Sequence, residues 1–321
     1  MGTQGHTVVS DILKRLPKPR PYVIEDGKIH AEACELNVCD QCNVNCRWCS
    51  HLSDRLKVNF MEPVEIRRDL STLSEVYQAD RVRIVGGEPL LHPQLLEILG
   101  HVRRSGVSDA IHLVTNGVLL AKASEELWAS VDEIHISMYP ARTLPTEAVA
   151  ELHDRARDSG VNLRIRHYDN FRMSYSDSGT RDPDLIRAIY ATCQVAHVWR
   201  CHTIDRGFFY RCPQSLFIPK GVHGVTWSLD SDRFPIRSSV RFRDELLEFL
   251  QREEPMEACF MCLGSAGKIF SHTIGKRNEI HPEPTEDLLD LAHLETLIEN
   301  PSAPHRCSRE SDLQDAGRFV R

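Results

Sequence analysis

The sequence predicts an α/β protein built as a partial (β/α)6 TIM-like barrel, followed by a small C-terminal β-hairpin and helix extension. Strand-like and helix-like segments alternate between about residues 31 and 166, which is typical of parallel strands joined by right-handed helical crossovers. The 321 residues suffice for one large domain and a smaller attachment. We therefore expect an N-terminal segment (1–30), a barrel core (31–192), an extension (193–270) and a C-terminal helix and tail (271–321).

The elements of the core follow from hydrophobic periodicity. The predicted strands are 32–38, 80–87, 110–117, 132–139 and 161–168. The predicted helices are 62–78, 92–104, 121–131 and 144–160, the last one stopped by Gly160. Farther along the chain, Asp205-Arg206-Gly207 predicts a β-hairpin turn. An amphipathic helix is expected over 285–300, followed by a polar tail. Chemistry in such a barrel is expected at the C-terminal ends of the strands.

Composition excludes several classes of protein. A net charge of −7 and a pI near 6.1 argue against a nucleic-acid-binding surface. No apolar run reaches membrane-spanning length, and the N-terminus has no apolar signal-peptide region. A cytoplasmic enzyme is therefore expected, where thiols stay reduced. Eleven cysteines, an odd and clustered number, then indicate metal binding rather than disulfides.

The first group of cysteines lies in "CDQCNVNCRWC", residues 39–49. Disulfides would require strained loops between such close neighbours. Zinc is a better alternative, but sites built from two CxxC pairs usually separate them by about a dozen residues or more, and here three intervene. From Cys42 the spacing is CxxxCxxC, through Cys46 and Cys49. Three thiolates on a short loop can hold three irons of a 4Fe-4S cluster and leave the fourth iron open, as catalytic metal sites do.

"CNVNCRWC" resembles the signature loop of the radical S-adenosylmethionine (radical SAM) superfamily. The resemblance implies that Cys42, Cys46 and Cys49 ligate the cluster, and that the open iron chelates the amino and carboxylate groups of S-adenosylmethionine. It also implies that Trp48, directly before the third cysteine, lies near the adenine. Cys39 does not fit the pattern. We interpret it as a buried thiol at the end of the first strand, because free cysteine packs as a small hydrophobe.

Further cofactor residues are expected at strand ends. "GGEP" (Gly86, Gly87, Glu88 and Pro89) matches the family turn that contacts the methionine amino group. Thr115, Asn116 and Ser137 lie where family members place polar groups for the ribose and carboxylate, although ordinary turn chemistry also explains Thr115 and Asn116. Arg164 and Arg166 alternate along one strand and so share a face. They are candidates for the S-adenosylmethionine carboxylate or the substrate, with a surface salt bridge as the alternative.

The second group comprises Cys193, Cys201, Cys212, Cys259 and Cys262. It resembles the "twitch" extension of radical SAM enzymes, a shortened SPASM domain with one auxiliary 4Fe-4S cluster. Gly207, four residues and Cys212 fit its pattern, as does the CxxC at Cys259 and Cys262. The first ligand is either Cys193 or Cys201, and the remaining thiol is a possible hydrogen-atom donor. A zinc ribbon is the alternative, because a hairpin with CxxC also suits zinc.

The resemblance implies an enzyme with two 4Fe-4S clusters and S-adenosylmethionine, which it cleaves to a 5′-deoxyadenosyl radical that abstracts hydrogen from a small hydroxylated substrate. Resemblance to the dehydrogenases of aminoglycoside (antibiotic) biosynthesis favours oxidation of an alcohol carbon of a sugar, aminocyclitol or nucleoside. The alternatives are an epimerase with a cysteine hydrogen donor and a ribosomal-peptide-modifying enzyme. Arg166, His167 and Tyr139 are candidate bases. A flavodoxin or ferredoxin reductant is expected, and neither nucleic acid nor a membrane.

Overall fold

The computed structural model describes residues 15–304 and 307–310. The strands are β1 (Val23–Glu25), β2 (Lys28–Asn37), β3 (Tyr77–Val85), β4 (Ile111–Thr115), β5 (Glu133–Met138), β6 (Asn162–His167), β7 (Asn170–Arg172), β8 (His202–Asp205), β9 (Phe208–Tyr210), β10 (Arg233–Pro235), β11 (Ile269–Ser271) and β12 (Arg309–Glu310). The helices are α1 (Pro63–Leu73), α2 (Leu95–Ser105), α3 (Glu125–Ala129), α4 (Thr146–Ser159), α5 (Pro183–Ala191), α6 (Gln194–His197), α7 (Pro213–Gly221), α8 (Phe242–Gln251), α9 (Thr285–Leu288) and α10 (Leu291–Glu299).

Six parallel strands form the centre of the main sheet, in the order β8-β2-β3-β4-β5-β6. Antiparallel strands flank them, with β9 and β10 beyond β8 and β12 beside β6. These flanking strands occupy the two edges that would have to meet in a closed barrel. The fold is thus the predicted α/β partial barrel with a C-terminal extension.

The strands separate an apolar outer face from a polar inner face. Along β5, Ile134, Ile136 and Met138 belong to the main hydrophobic core, which the helices cover. Glu133 and Ser137 alternate with them, as the two-residue period of a strand requires. The polar face therefore lines the inside of the partial barrel. On the parallel strands it includes Glu35, Arg83, His112, Glu133, His135, Ser137, Arg164, Arg166 and Thr203.

Two predicted helices are shorter than expected. The helix predicted over 62–78 ends at Leu73, and Tyr77 begins β3 instead. Tyr77 is fully buried and its hydroxyl lies 2.9 Å from His202 Nδ1, so tertiary packing overrides the local helical pattern. The helix predicted over 121–131 is reduced to α3, because the Ser124 side chain caps it by accepting a hydrogen bond from the Leu127 amide at 3.3 Å.

The predicted hairpin is present and joins the main sheet. Arg206 and Gly207 form its two-residue turn with φ values of 44° and 78°, the left-handed conformations that such turns require. β8 pairs in parallel with β2, so the strand placed in the extension by sequence supplies the sixth parallel strand of the barrel. The hairpin ladder ends at Thr203–Tyr210.

The C-terminal helix predicted over 285–300 divides into α9 and α10. The expected tail lies outside the described residues beyond 310, as does the N-terminal segment before residue 15. Among the described residues, no helix combines the length and apolarity needed to cross a lipid bilayer.

Candidate active site

The first cysteine group lies on the loop between β2 and α1, at the C-terminal end of β2. Backbone hydrogen bonds fix this loop to the glycine turn after β3. The Gly87 amide donates to the Cys39 carbonyl at 2.8 Å, and the Glu88 amide donates to the Gln41 carbonyl at 2.9 Å. The cysteine loop and the GGEP turn are therefore one unit, built from the ends of two adjacent parallel strands.

The two glycines are required by this contact. A Cβ on Gly87 would lie 2.1 Å from the Gln41 carbonyl oxygen and 2.7 Å from the Cys42 nitrogen. A Cβ on Gly86 would lie 2.6 Å from the Cys39 carbonyl oxygen. From the sequence, these glycines were expected in a turn that contacts the methionine amino group. In the structure, the backbone that approaches them is the cysteine loop itself.

Glu88 is fully buried and bonded within the chain. One carboxylate oxygen accepts from the Leu90 amide at 3.1 Å and from the Thr115 hydroxyl at 2.7 Å, and the other accepts from the Asn116 amide at 2.8 Å. Burial raises the pKa of Glu88, and these hydrogen bonds act in the opposite direction. The carboxylate thus connects the ends of β3 and β4. Its expected contact with a ligand ammonium group remains a prediction.

The three candidate ligand cysteines lie together, and Cys39 is set apart from them. The thiols of Cys42, Cys46 and Cys49 are near enough to interact electrostatically. Cys39 is 1% exposed, and its thiol donates to the Glu88 carbonyl at 3.2 Å. It therefore lies beneath the glycine turn as a buried thiol, the position that the sequence analysis preferred.

Two amide donors and one histidine nitrogen lie near sulfurs of Cys42, Cys46 and Cys49, which we call the triad. The Val44 amide and the Asn116 side-chain amide lie 3.4 and 3.6 Å from Cys42 Sγ. The His272 Nε2 atom lies 3.1 Å from Cys46 Sγ. Burial raises the pKa of Cys42 to about 12, so the free thiol is protonated, whereas a coordinated metal deprotonates it. Donors aimed at sulfur suit the thiolates of an iron–sulfur cluster, whose properties depend on such bonds.

A segment far along the chain holds the cysteine loop from the other side. The Asn45 side chain donates to the Gly275 carbonyl at 2.7 Å, and the Gly275 amide donates back to the Asn45 carbonyl at 2.8 Å. His272 is stacked on Tyr139, with ring centroids 5.0 Å apart. Tyr139 in turn lies near all three triad thiols. Sequence reasoning missed His272, because about 225 residues separate it from its sulfur partner and no local motif marks it.

Trp48 is packed more deeply than an adenine contact would suggest. It is 2% exposed, and its ring stacks on His281 with centroids 3.7 Å apart. Tyr175 and Phe270 contact it as well, at 5.5 and 6.3 Å. The indole therefore anchors the loop in the second hydrophobic core, and its expected contact with adenine remains a prediction.

The two arginines of β6 occupy different depths of the polar face. Arg166 pairs in register with Ser137, near the C-terminal ends of the strands. Arg164 pairs with His135, one step deeper, and its guanidinium lies 3.9 Å from the Glu133 carboxylate. Arg166 and Ser137 are thus placed closer to the cysteine loop than Arg164 is. Arg164 instead belongs to a charged cluster toward the N-terminal ends of the strands.

The middle of the polar face holds an ion pair and a thiol. Arg83 donates to the Glu35 carboxylate at 2.8 Å. Cys201, directly before β8, lies close enough to both for their charges to act on its thiol, and burial raises its pKa. His135 has a pKa lowered to about 4 by burial, and secondarily by Arg83 and Arg166. It is therefore neutral at pH 7 and can accept a hydrogen bond inside the barrel.

The second cysteine group surrounds a cavity in the extension, which we call the auxiliary cavity. Four thiols line it, those of Cys193, Cys212, Cys259 and Cys262, whereas Cys201 does not. The cavity volume is about 20 Å³. Among the described residues, no three His, Cys, Asp or Glu side chains are close enough to bind one ion, either here or at Cys42, Cys46 and Cys49.

Local structure presents each of these thiols to the cavity. Cys193 and Cys212 immediately precede α6 and α7. The Gly264 amide donates to Cys262 Sγ at 3.2 Å. Asp232 is fully buried, and its carboxylate accepts from the Glu257 and Ala258 amides at 2.6 and 2.8 Å, which holds the turn that carries Cys259. Sequence reasoning missed Asp232, since its role depends on a turn 25 residues away.

Parts of the chain are similar in sequence to known proteins. Residues 36–170 match the family model of the Radical SAM superfamily. A probable GTP 3′,8-cyclase of Methanococcus vannielii is 33% identical over 106 residues, covering 32% of this chain and 35% of that protein. GTP 3′,8-cyclase 1 of Mycobacterium tuberculosis is 32% identical over 122 residues, covering 36% and 33%. The chain therefore spans about a third of the length of the curated relatives that it matches.

Similar solved structures share little sequence with this chain. BtrN in complex with AdoMet and 2-DOIA is 14% identical, with a TM-score of 0.45, covering 76% of this chain and 89% of that one. Streptococcus suis SuiB bound to S-adenosylmethionine is 13% identical, with a TM-score of 0.41, covering 70% and 68%.

Proposed function

We propose that this chain, whose residues 36–170 match the Radical SAM superfamily model, is a radical SAM dehydrogenase that oxidises an alcohol carbon of a small hydroxylated substrate. The substrate class we propose is a sugar, aminocyclitol or nucleoside. The observation that carries the proposal is the second set of four thiols around one cavity, because hydrogen abstraction alone would need only the first set.

Cys42, Cys46 and Cys49 would hold the first cluster, which together with S-adenosylmethionine supplies a 5′-deoxyadenosyl radical when both are bound. The chain contributes amide donors to the Cys42 sulfur from Val44 and Asn116, and it places the His272 imidazole against the Cys46 sulfur. It also contributes a rigid loop, fixed by the glycine turn on one side and by the segment 272–275 on the other. Both features hold the thiols in one arrangement.

Converting an alcohol carbon to a carbonyl removes one hydrogen atom, one proton and one electron. The hydrogen atom would go to the radical that bound S-adenosylmethionine supplies. Cys193, Cys212, Cys259 and Cys262 would hold an auxiliary cluster, which supplies an acceptor for the electron when bound. The proton requires a base or a path to water, and Arg166, His167 and Tyr139 remain the candidates. Oxidation of the alcohol carbon would then need no further external oxidant during the chemical step.

The polar face supports a hydroxylated substrate rather than an apolar one. Its ion pair of Glu35 and Arg83, the neutral imidazole of His135 and the arginine Arg166 offer several donors and acceptors inside the barrel. The Nε2 atom of His135 is buried without a hydrogen-bond partner, and a ligand with few polar groups would leave it so, at a cost of about 1–3 kcal/mol. This favours substrates that carry several hydroxyl or amino groups.

The test is to incubate the anaerobically reconstituted protein with S-adenosylmethionine and candidate polyols in heavy water. We expect a product two hydrogens lighter than its substrate, with no deuterium bound to carbon. GTP is the control substrate, because the curated relatives include GTP 3′,8-cyclases. If the protein turned over GTP and none of the polyols, the proposed polyol dehydrogenase activity would be wrong.

An epimerase is the second candidate, and Cys201 is the observation that favours it. This thiol lies at the polar face beside Glu35 and Arg83 and does not line the auxiliary cavity. A cysteine outside both clusters could return a hydrogen atom to a substrate radical. The product would then keep its mass except for one deuterium on carbon. Cys201→Ser would abolish such an epimerisation but leave dehydrogenation in place.

A further inference from the structure

Arg211 is a buried cation in an unusual environment. Only 2% of the residue is exposed. Its Nη1 atom donates to the Arg252 carbonyl at 2.7 Å, while its Nε atom is buried with no acceptor. The guanidinium carbon lies 5.4 Å from the centre of the Tyr190 ring. A neutral carbonyl and an aromatic ring thus supply its described contacts.

A buried guanidinium normally has an anionic partner, because a charge is costly to remove from water without one. Among the residues whose side chains the structure describes, 15–304 and 307–308, no carboxylate lies within 4.0 Å of Arg211. This part of the chain therefore gives the cation no anionic partner in direct contact.

The auxiliary cavity begins at the next residue. Cys212 follows Arg211 directly and lines the cavity, and Tyr190, which the guanidinium faces, lines it as well. Four thiolates around one cluster are an anionic assembly in a poorly solvated position. Asp232, fully buried behind Cys259, adds to the negative charge.

We propose that Arg211 is the counter-cation of the auxiliary thiolate site, placed to balance its negative charge when the site is loaded. This inference rests on the proposed function, because it requires the four thiols to hold a cluster. Arg211 then acts as a positioning residue through charge and not as a ligand. Its charge makes the arrival of another electron at the cluster more favourable, because net charge near a cluster sets its potential.

The experiment separates a charge-balancing role from ordinary packing. Arg211→Met removes the charge and keeps much of the volume, and Arg211→Lys restores the charge. Arg233→Met is the control, since the Arg233 guanidinium packs 4.0 Å from the centre of the Phe208 ring and does not line the cavity. All are made in the full chain carrying Cys42→Ala, Cys46→Ala and Cys49→Ala, in which only the auxiliary cluster can form.

We expect Arg211→Met to leave the thermal midpoint of the metal-free protein unchanged or higher, but to lower that of the loaded protein. The midpoint potential of the auxiliary cluster should shift to more negative values, and Arg211→Lys should recover most of both effects. If Arg211→Met lowered the thermal midpoint equally in the metal-free and the loaded protein, or left the potential unchanged at full iron content, the counter-cation role would be wrong. The auxiliary cluster itself would not be contradicted by either result. A parent variant that binds no iron would overturn the auxiliary cluster and the inference together.

Discussion

At the scale of single residues, the candidate site depends on positions whose described contacts are with other parts of the chain. Gly87 lets the cysteine loop lie against the end of β3, Glu88 connects that end to β4, and His272 contacts the sulfur of the candidate ligand Cys46. Each position has little tolerance for change, because a packed or hydrogen-bonded partner fills the space around it. Their contribution is to hold three thiols in one arrangement before any metal binds.

Gly87→Ala should disrupt the first cluster. Its Cβ would lie 2.1 Å from the Gln41 carbonyl oxygen, so the loop must move. We expect the reconstituted protein to lose about half of its iron, and stability to fall by about 3 kcal/mol, typical of severe overpacking. Chemical denaturation and iron analysis measure both.

The matched control for this variant is Gly100→Ala in the middle of α2, where the new Cβ meets only the flexible end of Arg104. That change should raise stability by about 0.5–1 kcal/mol and leave the iron content unchanged. Full iron retention in Gly87→Ala would show that the glycine turn does not support the cysteine loop.

At the scale of elements, β8 joins the two cysteine groups. It pairs with β2, which ends at the first cysteine loop, and its hairpin partner β9 leads into Arg211 and Cys212. His202 lies fully buried at the start of β8, with its two ring nitrogens 2.8 and 2.9 Å from the hydroxyls of Tyr22 and Tyr77. A small displacement of β8 would therefore shift the positions of both cysteine groups.

Stability should fall in mild acid because of His202. Burial, and secondarily Arg200 and Arg211, lower its pKa to about 3. The unfolded chain binds a proton near pH 6.5, whereas the folded chain does not until about pH 3, so stability is lost as pH falls through that range at up to ~1.4 kcal/mol per pH unit.

His202→Gln tests this origin, because an amide can satisfy the tyrosines and does not titrate. The variant should be less stable at pH 7 but should lose less stability than the parent between pH 6.5 and 4.5, measured by denaturation at each pH. Equal slopes in the two proteins would assign the acid sensitivity to other groups.

At the scale of the whole molecule, the chain has two separate sets of thiols joined by one sheet. The triad lies at the C-terminal end of β2, and the set of four lies around the cavity of the extension. Cys201 and Cys39 belong to neither set, since one lies by the polar face and the other beneath the glycine turn. The arrangement predicts which thiols matter for metal binding.

Iron content should follow this partition. Anaerobically reconstituted protein should hold about eight irons per chain, and the triple alanine variant of the triad about four. Cys193→Ala should lose iron from the auxiliary site, whereas Cys201→Ala and Cys39→Ala should keep all of it. Iron and sulfide analysis with visible absorption measures each variant. A Cys201→Ala protein that loses iron while Cys193→Ala does not would reverse the assignment of the auxiliary ligand.

The sequence by itself determined the α/β alternation, the hairpin turn, the CxxxCxxC loop and the GGEP turn, because each depends on residues close together in the chain. The strand periods and the left-handed turn at Gly207 are local properties of the backbone. Only the tertiary structure decided that Cys193 rather than Cys201 lines the auxiliary cavity, that Glu88 is bonded to β4, and that His272 reaches Cys46. Those contacts join residues 28 to 226 positions apart, and local propensity carries no information about which distant side chains the folded sheet brings together.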